Sequence, residues 1–190
     1  MDTVLGAALE VQKVLQRHGE RFCIIGGLAV QRWGKPRLTQ DVDITLLCPF
    51  GSEPAVIERL LSLFQPRLPD AREFARRNRV LLLRTAGGVE LDISLGALPF
   101  EERCVARSSE WEISPGSVLR TCSAEDLIVL KAFAGRTLDW FDVESVAIRN
   151  HAKLDWNLVF EELRPLVELK GTPEALERLR ELQRDPRRRK

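Results

Sequence analysis

The sequence lacks any excess of one charge, because its 29 basic and 28 acidic residues give a formal net charge of +1. A chain this close to neutrality has no global electrostatic attraction for nucleic acid or for an anionic membrane. No apolar run approaches the roughly 20 residues that cross a bilayer. The start of the chain also lacks the basic and then apolar segments of a signal peptide, so we expect a cytoplasmic protein with no membrane partner.

Residues that bind zinc or act as nucleophiles are scarce and scattered. The two histidines have no metal-ligand spacing, and the cysteines form no C-x-x-C pair: Cys23, Cys48, Cys104 and Cys122. Three of the cysteines lie in or beside apolar, strand-like runs, so we expect buried free thiols rather than zinc ligands or disulfides. There is no G-x-S-x-G motif and no Walker phosphate-binding loop. These absences direct attention to the acidic residues.

Two carboxylates stand out because they interrupt an apolar run. Asp41 and Asp43 alternate with Val42 and Ile44, and Leu46 continues the run. Side chains two residues apart in a strand point to the same face. Two acids on one face of a buried strand are tolerated when a cation lies between them, and ligands that are all oxygen suit Mg²⁺ or Mn²⁺. We favour a metal site over a solvated strand edge.

A third acid is available in a second strand-like segment, Val89–Leu95. Its apolar residues share one face, whereas Glu90, Asp92 and Ser94 share the other. If this segment lies beside the strand of Asp41 and Asp43, three carboxylates converge, which is the arrangement of two-metal phosphoryl transfer. Asp92 is the preferred third ligand and Glu90 is the alternative.

The segment before the paired acids suggests a phosphate site. Gly26 and Gly27 lie between a predicted strand and a predicted helix, where backbone N–H groups can approach an anion. Arg37 and Thr39 precede the two aspartates at intervals of two residues, so in an extended chain all four line the same face. Arg37 is therefore either a ligand of the same phosphate or a surface residue that follows Pro36.

The order of elements predicts an α+β fold. Residues 1–122 alternate predicted helices and strands, including a hairpin around Ala86–Gly88, and we expect them to form the core. Residues 102–121 are harder to assign and suggest short strands around Pro115-Gly116. Ser123 and Asp126 form a capping-box-like helix start. From there to residue 190 the pattern is helical, and it ends in a basic tail. We place a soft boundary after Cys122.

These motifs together resemble the DNA polymerase beta-type nucleotidyltransferase superfamily. The resemblance rests on G-G-x-A, then R-x-T-x-D-V-D, then a strand with alternating acids, and it is similar to the abortive-infection (AbiEii-like) type IV toxins. It implies a mixed sheet with flanking helices, Mg²⁺ or Mn²⁺ held by Asp41, Asp43 and Asp92, and an NTP substrate. Gly27 stands where serine is more usual, so that backbone N–H groups alone would meet the phosphate there.

The resemblance extends into the helical half through Lys131 and the pair Asp139 and Asp142. It implies that Lys131 binds the nucleotide phosphates and that Asp142 supports the site, whereas the residues alone also fit a lysine at a helix edge. The implied activity is transfer of an NMP to an acceptor hydroxyl on tRNA, protein or a small molecule, with a cognate antitoxin as a further partner. The alternative is a non-catalytic protein that binds a nucleotide or a partner.

Overall fold

The computed structural model describes residues 3–185, so the predicted basic tail beyond Asp185 lies outside the described residues. Two compact units are present. One comprises the described residues up to Leu28 together with Leu38–Cys122, and the other comprises Ala29–Arg37 and the described residues from Ser123 onward. The sequence placed all of residues 1–122 in one part, whereas these contacts group Ala29–Arg37 with the helical unit.

The first unit is built on a seven-stranded mixed sheet in the order β3-β4-β5-β2-β1-β7-β6. The pairs β2–β5 and β1–β7 are parallel, and the other neighbouring strands are antiparallel. The strands are β1 Phe22–Ile24, β2 Asp41–Leu47, β3 Gln65–Pro66, β4 Val80–Arg84, β5 Glu90–Gly96, β6 Ser109–Ser114 and β7 Ser117–Thr121. The predicted α+β class is confirmed.

Helices cover the sheet of this unit and close its core. They are α1 Val4–Arg17, α3 Glu53–Leu63, α4 Ala71–Asn78 and α5 Pro99–Arg107, while α2 Gly26–Trp33 begins here and continues into the second unit. The apolar stripe of α1 is buried, and Thr3 caps its first turn by accepting a hydrogen bond from the Gly6 N–H. Val42, Ile44, Leu91 and Ile93 form the centre of the core, each at most 1% exposed. All four cysteines are buried free thiols, as predicted.

Helix α5 was not predicted from the sequence, which suggested only strands around Pro115-Gly116. Those strands exist as β6 and β7, but Pro99 opens a helix before them. Proline is favourable at this first position because an N–H group here has no acceptor within the helix, so its absence in proline breaks no hydrogen bond. The Glu101 carboxylate then accepts hydrogen bonds from the Ala97 and Leu98 N–H groups, both at 2.8 Å. Pro99 together with Glu101 is therefore the sequence signal from which α5 could have been predicted.

The second unit is helical: α6 Ala124–Ala134, α7 Thr137–Asn150, α8 Trp156–Lys170 and α9 Glu174–Arg184. Ser123 begins α6 by accepting a hydrogen bond from the Asp126 N–H, and Gly135 ends it in a left-handed conformation. Val143, Val159, Leu163 and Leu179 are fully buried. In the described part of the chain, no helix combines the length and the apolar character needed to cross a membrane.

Candidate functional site

The three acids singled out in the sequence lie together on two neighbouring parallel strands. Asp41 pairs in register with Glu90, and Asp43 pairs with Asp92. One carboxylate oxygen from each of Asp41, Asp43 and Asp92 lies within 4.8 Å of the others. The alternating Val42 and Ile44 are buried on the opposite face, so the core fixes β2 in the register that presents its acids together.

An arginine that sequence reasoning missed contacts the acids of β5. Arg67 donates its backbone N–H to the Leu82 carbonyl, which fixes it beside β4. Its guanidinium reaches the Asp92 carboxylate at 2.5 Å and the Glu90 carboxylate at 2.7 Å. Arg84 contacts the other Glu90 oxygen at 3.3 Å. Both Glu90 oxygens therefore face arginines, which favours Asp92 over Glu90 as the third ligand.

Gly26 is required by the position of the Asp43 side chain. The structure makes Gly26 the first residue of α2, rather than part of a separate turn, with a positive φ of 59°. A Cβ atom at this position would overlap the Asp43 carboxylate. The glycine therefore brings the backbone at the start of α2 directly against one of the acids, which only a residue without a side chain permits.

Gly27 makes room for Thr39 in the same way. A Cβ atom on Gly27 would overlap the Thr39 side chain, which is 8% exposed. The Thr39 hydroxyl donates a hydrogen bond of 2.8 Å to the Asp41 carboxylate. Thr39 thus orients one of the acids and brings a hydroxyl close to Gly27. The sequence predicted only that Thr39 lies on the same face as the two aspartates.

In the second unit, Lys131 lies in a buried network of charges. Its ammonium contacts the Asp139 carboxylate at 3.0 Å and the Asp142 carboxylate at 2.9 Å. Arg37 donates two hydrogen bonds to Asp142, both 2.9 Å long. Arg136 donates to Asp139 at 2.6 Å and 3.2 Å. The order of contacts is Arg37, Asp142, Lys131, Asp139, Arg136, and we call this row the charge network.

The two carboxylates of the charge network have perturbed acidity. Burial acts to raise the pKa of both, because it disfavours the charged form. For Asp142, hydrogen bonds from Arg37 and Lys131 outweigh burial and hold the pKa below its ordinary value. For Asp139, hydrogen bonds from Arg136 and Lys131 lower the pKa in the same way. Both groups are therefore stabilised as carboxylates.

The chain that leads to Arg37 is fixed against α7. The Arg149 guanidinium donates to the Gly34 carbonyl at 2.7 Å, and the Lys35 N–H donates to the Ser145 hydroxyl at 3.1 Å. A Cβ atom on Gly34 would crowd that same hydroxyl, so the backbone approaches α7 closely. This packing explains why Ala29–Arg37 group with the helical unit.

The donor set on β2 and β5 suits a hard divalent cation. All three candidate ligands are carboxylates, and oxygen donors are those that Mg²⁺ and Mn²⁺ prefer. Like charges on neighbouring strands repel each other, so four acids in two facing pairs require compensating cations. Arg67 and Arg84 compensate the β5 side. The residues present therefore fit the metal that the fold implies.

Comparison with known proteins then gives the family. The family profile described as "Nucleotidyl transferase AbiEii toxin, Type IV TA system" matches residues 8–190. The chain belongs to the AbiEii nucleotidyl transferase toxin family. It is therefore a nucleotidyltransferase, of a family assigned to toxin–antitoxin systems. No protein with a curated description matches the chain at a significant level.

Solved structures show the same fold at low sequence identity. An antigenic nucleotidyltransferase-like protein from Paracoccidioides brasiliensis aligns with a TM-score of 0.53 and 15% identity over 92% of each chain. The lincosamide antibiotic adenylyltransferase LnuA, bound to lincomycin, gives 0.52 and 14% over 76% of this chain and 98% of its own. The antibiotic-resistance factor ANT(2'')-Ia gives 0.54 and 17% over 93% and 95%.

Proposed function

We propose that this AbiEii-family protein transfers an NMP from an NTP to an acceptor hydroxyl and releases pyrophosphate, in a reaction that depends on Mg²⁺ or Mn²⁺. The observation that carries the proposal is the convergence of Asp41, Asp43 and Asp92, whose oxygens approach within 4.8 Å on two parallel strands. A binding module that needs no cation would be destabilised by such a cluster, because like charges side by side repel.

The three acids have two proposed roles. Asp41 and Asp43 would hold both divalent ions, and Asp92 would complete the site of the ion nearer the acceptor. When bound, the ions neutralise charge on the triphosphate and on the attacking oxygen. Asp92 would also accept the proton of the acceptor hydroxyl. Arg67 on one Asp92 oxygen leaves the second oxygen for these tasks.

We propose a separate set of residues for the nucleotide. In the first unit, Gly26 and Gly27 would present backbone N–H groups at the start of α2, where the helix dipole favours an anion. The Thr39 hydroxyl lies against Gly27 and supplies a polar group there. In the second unit, the candidates for nucleotide binding are Arg37 and Lys131, with Asp142 as the residue that supports them, and all three belong to the charge network.

The acceptor is tRNA, a protein or a small molecule, and the fold alone is compatible with all three. Of the solved relatives, LnuA is an adenylyltransferase of lincosamide antibiotics. A tRNA acceptor would favour a basic surface, and arginines are clustered on α4 and at its end: Arg72, Arg76, Arg77 and Arg79. Arg72 is paired with Glu58, and Arg79 is paired with Glu53 and with backbone carbonyls. These pairs weaken that cluster as an RNA site.

The family also suggests a biological role. We propose that the protein acts in the cytoplasm as the toxin of a toxin–antitoxin pair, in which transfer to an essential acceptor stops growth. Induced expression should then arrest growth of a host strain, and the Asp41→Asn variant expressed at the same level should not. Co-expression of the neighbouring gene should relieve the arrest if it encodes the antitoxin. Equal arrest by the variant would contradict the link between toxicity and transfer.

The transfer itself is tested with α-³²P-labelled NTPs. Purified protein is incubated with Mg²⁺ or Mn²⁺, each NTP in turn, total tRNA and cell extract. We expect label on one acceptor class, and we expect it to fall at least about 1,000-fold in Asp41→Asn and Asp43→Asn, because these residues position the ions that stabilise the transition state.

The matched control is Asp70→Asn, since Asp70 lies before α4 and makes no side-chain capping bond. It should retain full transfer. Undiminished transfer by the Asp41 and Asp43 variants would disprove the proposed centre. Metal-dependent NTP binding with no labelled product would instead support the non-catalytic alternative.

A further inference from the structure

The helical unit has a groove between α8 and α9 that lies apart from the charge network. Its volume is about 390 Å³, which is large enough for a few side chains of a ligand. Arg164 lines it from α8, whereas Arg180 and Arg184 line it from α9. Residues four apart on a helix share a face, so the two arginines of α9 stand on one wall. Leu179 and Leu182 are buried and fix the rotation of that helix.

The three arginines of this groove lack an acidic partner within residues 3–185. None of them forms an ion pair there, and the Arg180 guanidinium lies 5.9 Å from the centre of the Phe160 ring. By contrast, Arg178 on the same helix contacts the Glu144 carboxylate at 3.1 Å. Glu161 is the acid among the described lining residues, so the lining has a net charge of +2. The groove therefore attracts an anionic ligand.

Phe160 gives the groove an apolar part. Its ring is half-buried and lies 6.2 Å, centre to centre, from the ring of Trp156, which is 8% exposed. A ring that packs on a buried indole presents an apolar surface in a defined position. Arginine and aromatic side chains are among those that contribute most to binding at protein interfaces. The combination suits a ligand that carries both anionic groups and an apolar side chain.

The other lining residues favour a peptide over a nucleic acid. The Glu161 carboxylate would repel a phosphate backbone, whereas a peptide offers it N–H donors. The side-chain amides of Asn157 and Gln183 can pair with both the N–H and the C=O groups of a peptide. Nucleic acid is bound mainly through many phosphate contacts, and a chain with a formal net charge of +1 offers no wider basic field.

We propose that the groove between α8 and α9 binds an acidic segment of a partner protein. Carboxylates of this segment contact Arg164, Arg180 and Arg184, and an apolar side chain packs on Phe160. A guanidinium holds a carboxylate through two parallel hydrogen bonds, which gives direction as well as attraction. This binding needs neither an NTP nor a divalent ion, so it goes beyond the proposed transfer reaction and does not depend on it.

The first test selects short peptides from a random display library on the wild-type protein. Peptides that also bind the Arg164→Gln, Arg180→Gln, Arg184→Gln variant are removed in each round. We expect the remaining peptides to be rich in aspartate and glutamate beside an apolar residue. A remaining set without this acidic bias, or no peptide that distinguishes the two proteins, would overturn the proposal.

Fluorescence anisotropy then gives the Kd of the most enriched peptide. The triple variant of the groove should raise this Kd about 10-fold or more, because each exposed ion pair contributes a few-fold and three are lost. The matched control removes three arginines of α4 instead, as Arg72→Gln, Arg76→Gln, Arg77→Gln, and should leave the Kd unchanged. An equal rise in the control would show that only total charge matters and would overturn the site.

A charge exchange separates recognition from an effect on folding. The Arg164→Glu, Arg184→Glu variant should lose the acidic peptide and bind its counterpart with lysine in place of each acid, which wild type should not bind. Failure to bind the counterpart at an unchanged Tm would overturn the proposal. Displacement of the acidic peptide from wild type by a single-stranded RNA of mixed sequence would assign the groove to RNA and would also overturn it.

The peptide measurements are made without NTP or metal, so the two proposals can fail separately. A protein that binds the acidic peptide but transfers no NMP would refute only the proposed function. A protein that transfers NMP but yields no acidic peptide dependent on the groove arginines would refute only this inference.

Discussion

Gly26 and Gly27 are needed because neighbouring side chains occupy the space where their own side chains would lie. A side chain on Gly26 would occupy the space of the Asp43 carboxylate, and one on Gly27 would occupy the space of Thr39. The sequence suggested that glycines here expose backbone N–H groups to a phosphate. The structure adds that both residues leave space for the side chains that form and orient the acid cluster.

Replacement of Gly26 by alanine should therefore be costly in two ways. The positive φ of Gly26 alone should cost about 1 kcal/mol of stability, and overlap with Asp43 should cost about 2 kcal/mol more. Displacement of the carboxylate should lower NMP transfer about 100-fold. Urea unfolding and initial transfer rates measure the two effects.

Gly19→Ala is the matched control for the backbone effect. Gly19 has a φ of 69°, and a Cβ atom there would meet nothing within 4 Å. This variant should lose about 1 kcal/mol and keep its transfer rate. Equal stability and equal activity in the two variants would show that the contact with Asp43 does not matter.

Among the strands and helices, those with strong periodicity were predictable. The alternation in β2 and β5 follows from one buried and one polar face, α7–α9 follow from helical spacing, and α6 follows from its Ser123 cap. Arg67 could not be predicted, because its contacts with Glu90 and Asp92 depend on how β3, β4 and β5 pair. The burial of Lys131 also depends on tertiary packing, since α6 is apolar nearly all round.

The cross-strand contacts of Arg67 predict a coupling between this arginine and the metal. Without a divalent ion, Arg67→Gln should lower stability by about 0.5–1 kcal/mol, a modest loss because Glu90 and Asp92 are partly exposed to solvent. Mg²⁺ or Mn²⁺ should then raise the Tm more in the variant than in wild type, because the variant has one arginine fewer to neutralise the negative charge of the acids. Differential scanning fluorimetry measures both shifts.

Arg72→Gln serves as the control, since its partner Glu58 lies outside the acid cluster. Its response to the divalent ion should match that of wild type. An Arg67→Gln protein whose Tm responds to the ion no more than wild type would contradict this electrostatic coupling.

The carboxylates of the charge network on α7 predict a loss of stability in acid. The pKa values of Asp139 and Asp142 are lowered in the folded protein, so the unfolded chain binds protons first as the pH falls. Their contribution is fully present above the unfolded pKa of about 3.9 and is lost as the pH falls through the lower folded values.

Urea unfolding of wild type and Asp142→Asn tests this sign. The stability advantage of wild type should be constant between about pH 5 and 7 and should shrink below about pH 4. A difference that stays constant or grows toward low pH would contradict the account. Asp70→Asn should show no such dependence, since Asp70 lies outside the network and makes no side-chain capping bond.

The molecule as a whole combines an acidic sheet surface with a helical unit that carries buried charges. Its formal net charge of +1 reveals neither, because a total over the whole chain does not show where acids and bases cluster. The fold class followed from the order of elements in the sequence. The grouping of Ala29–Arg37 with the helices did not, because it depends on contacts with residues more than 100 positions away, such as Arg37 with Asp142.

The most direct measurement of the central claim is a Mn²⁺ titration followed by electron paramagnetic resonance, in the presence of a non-hydrolysable NTP analogue. Wild-type protein should bind Mn²⁺ together with the analogue. The Asp41→Asn, Asp43→Asn variant should lose that binding by about 100-fold or more, while the Asp70→Asn protein should behave as wild type. Equal Mn²⁺ affinity in all three proteins would show that the cluster on β2 and β5 is not the metal centre.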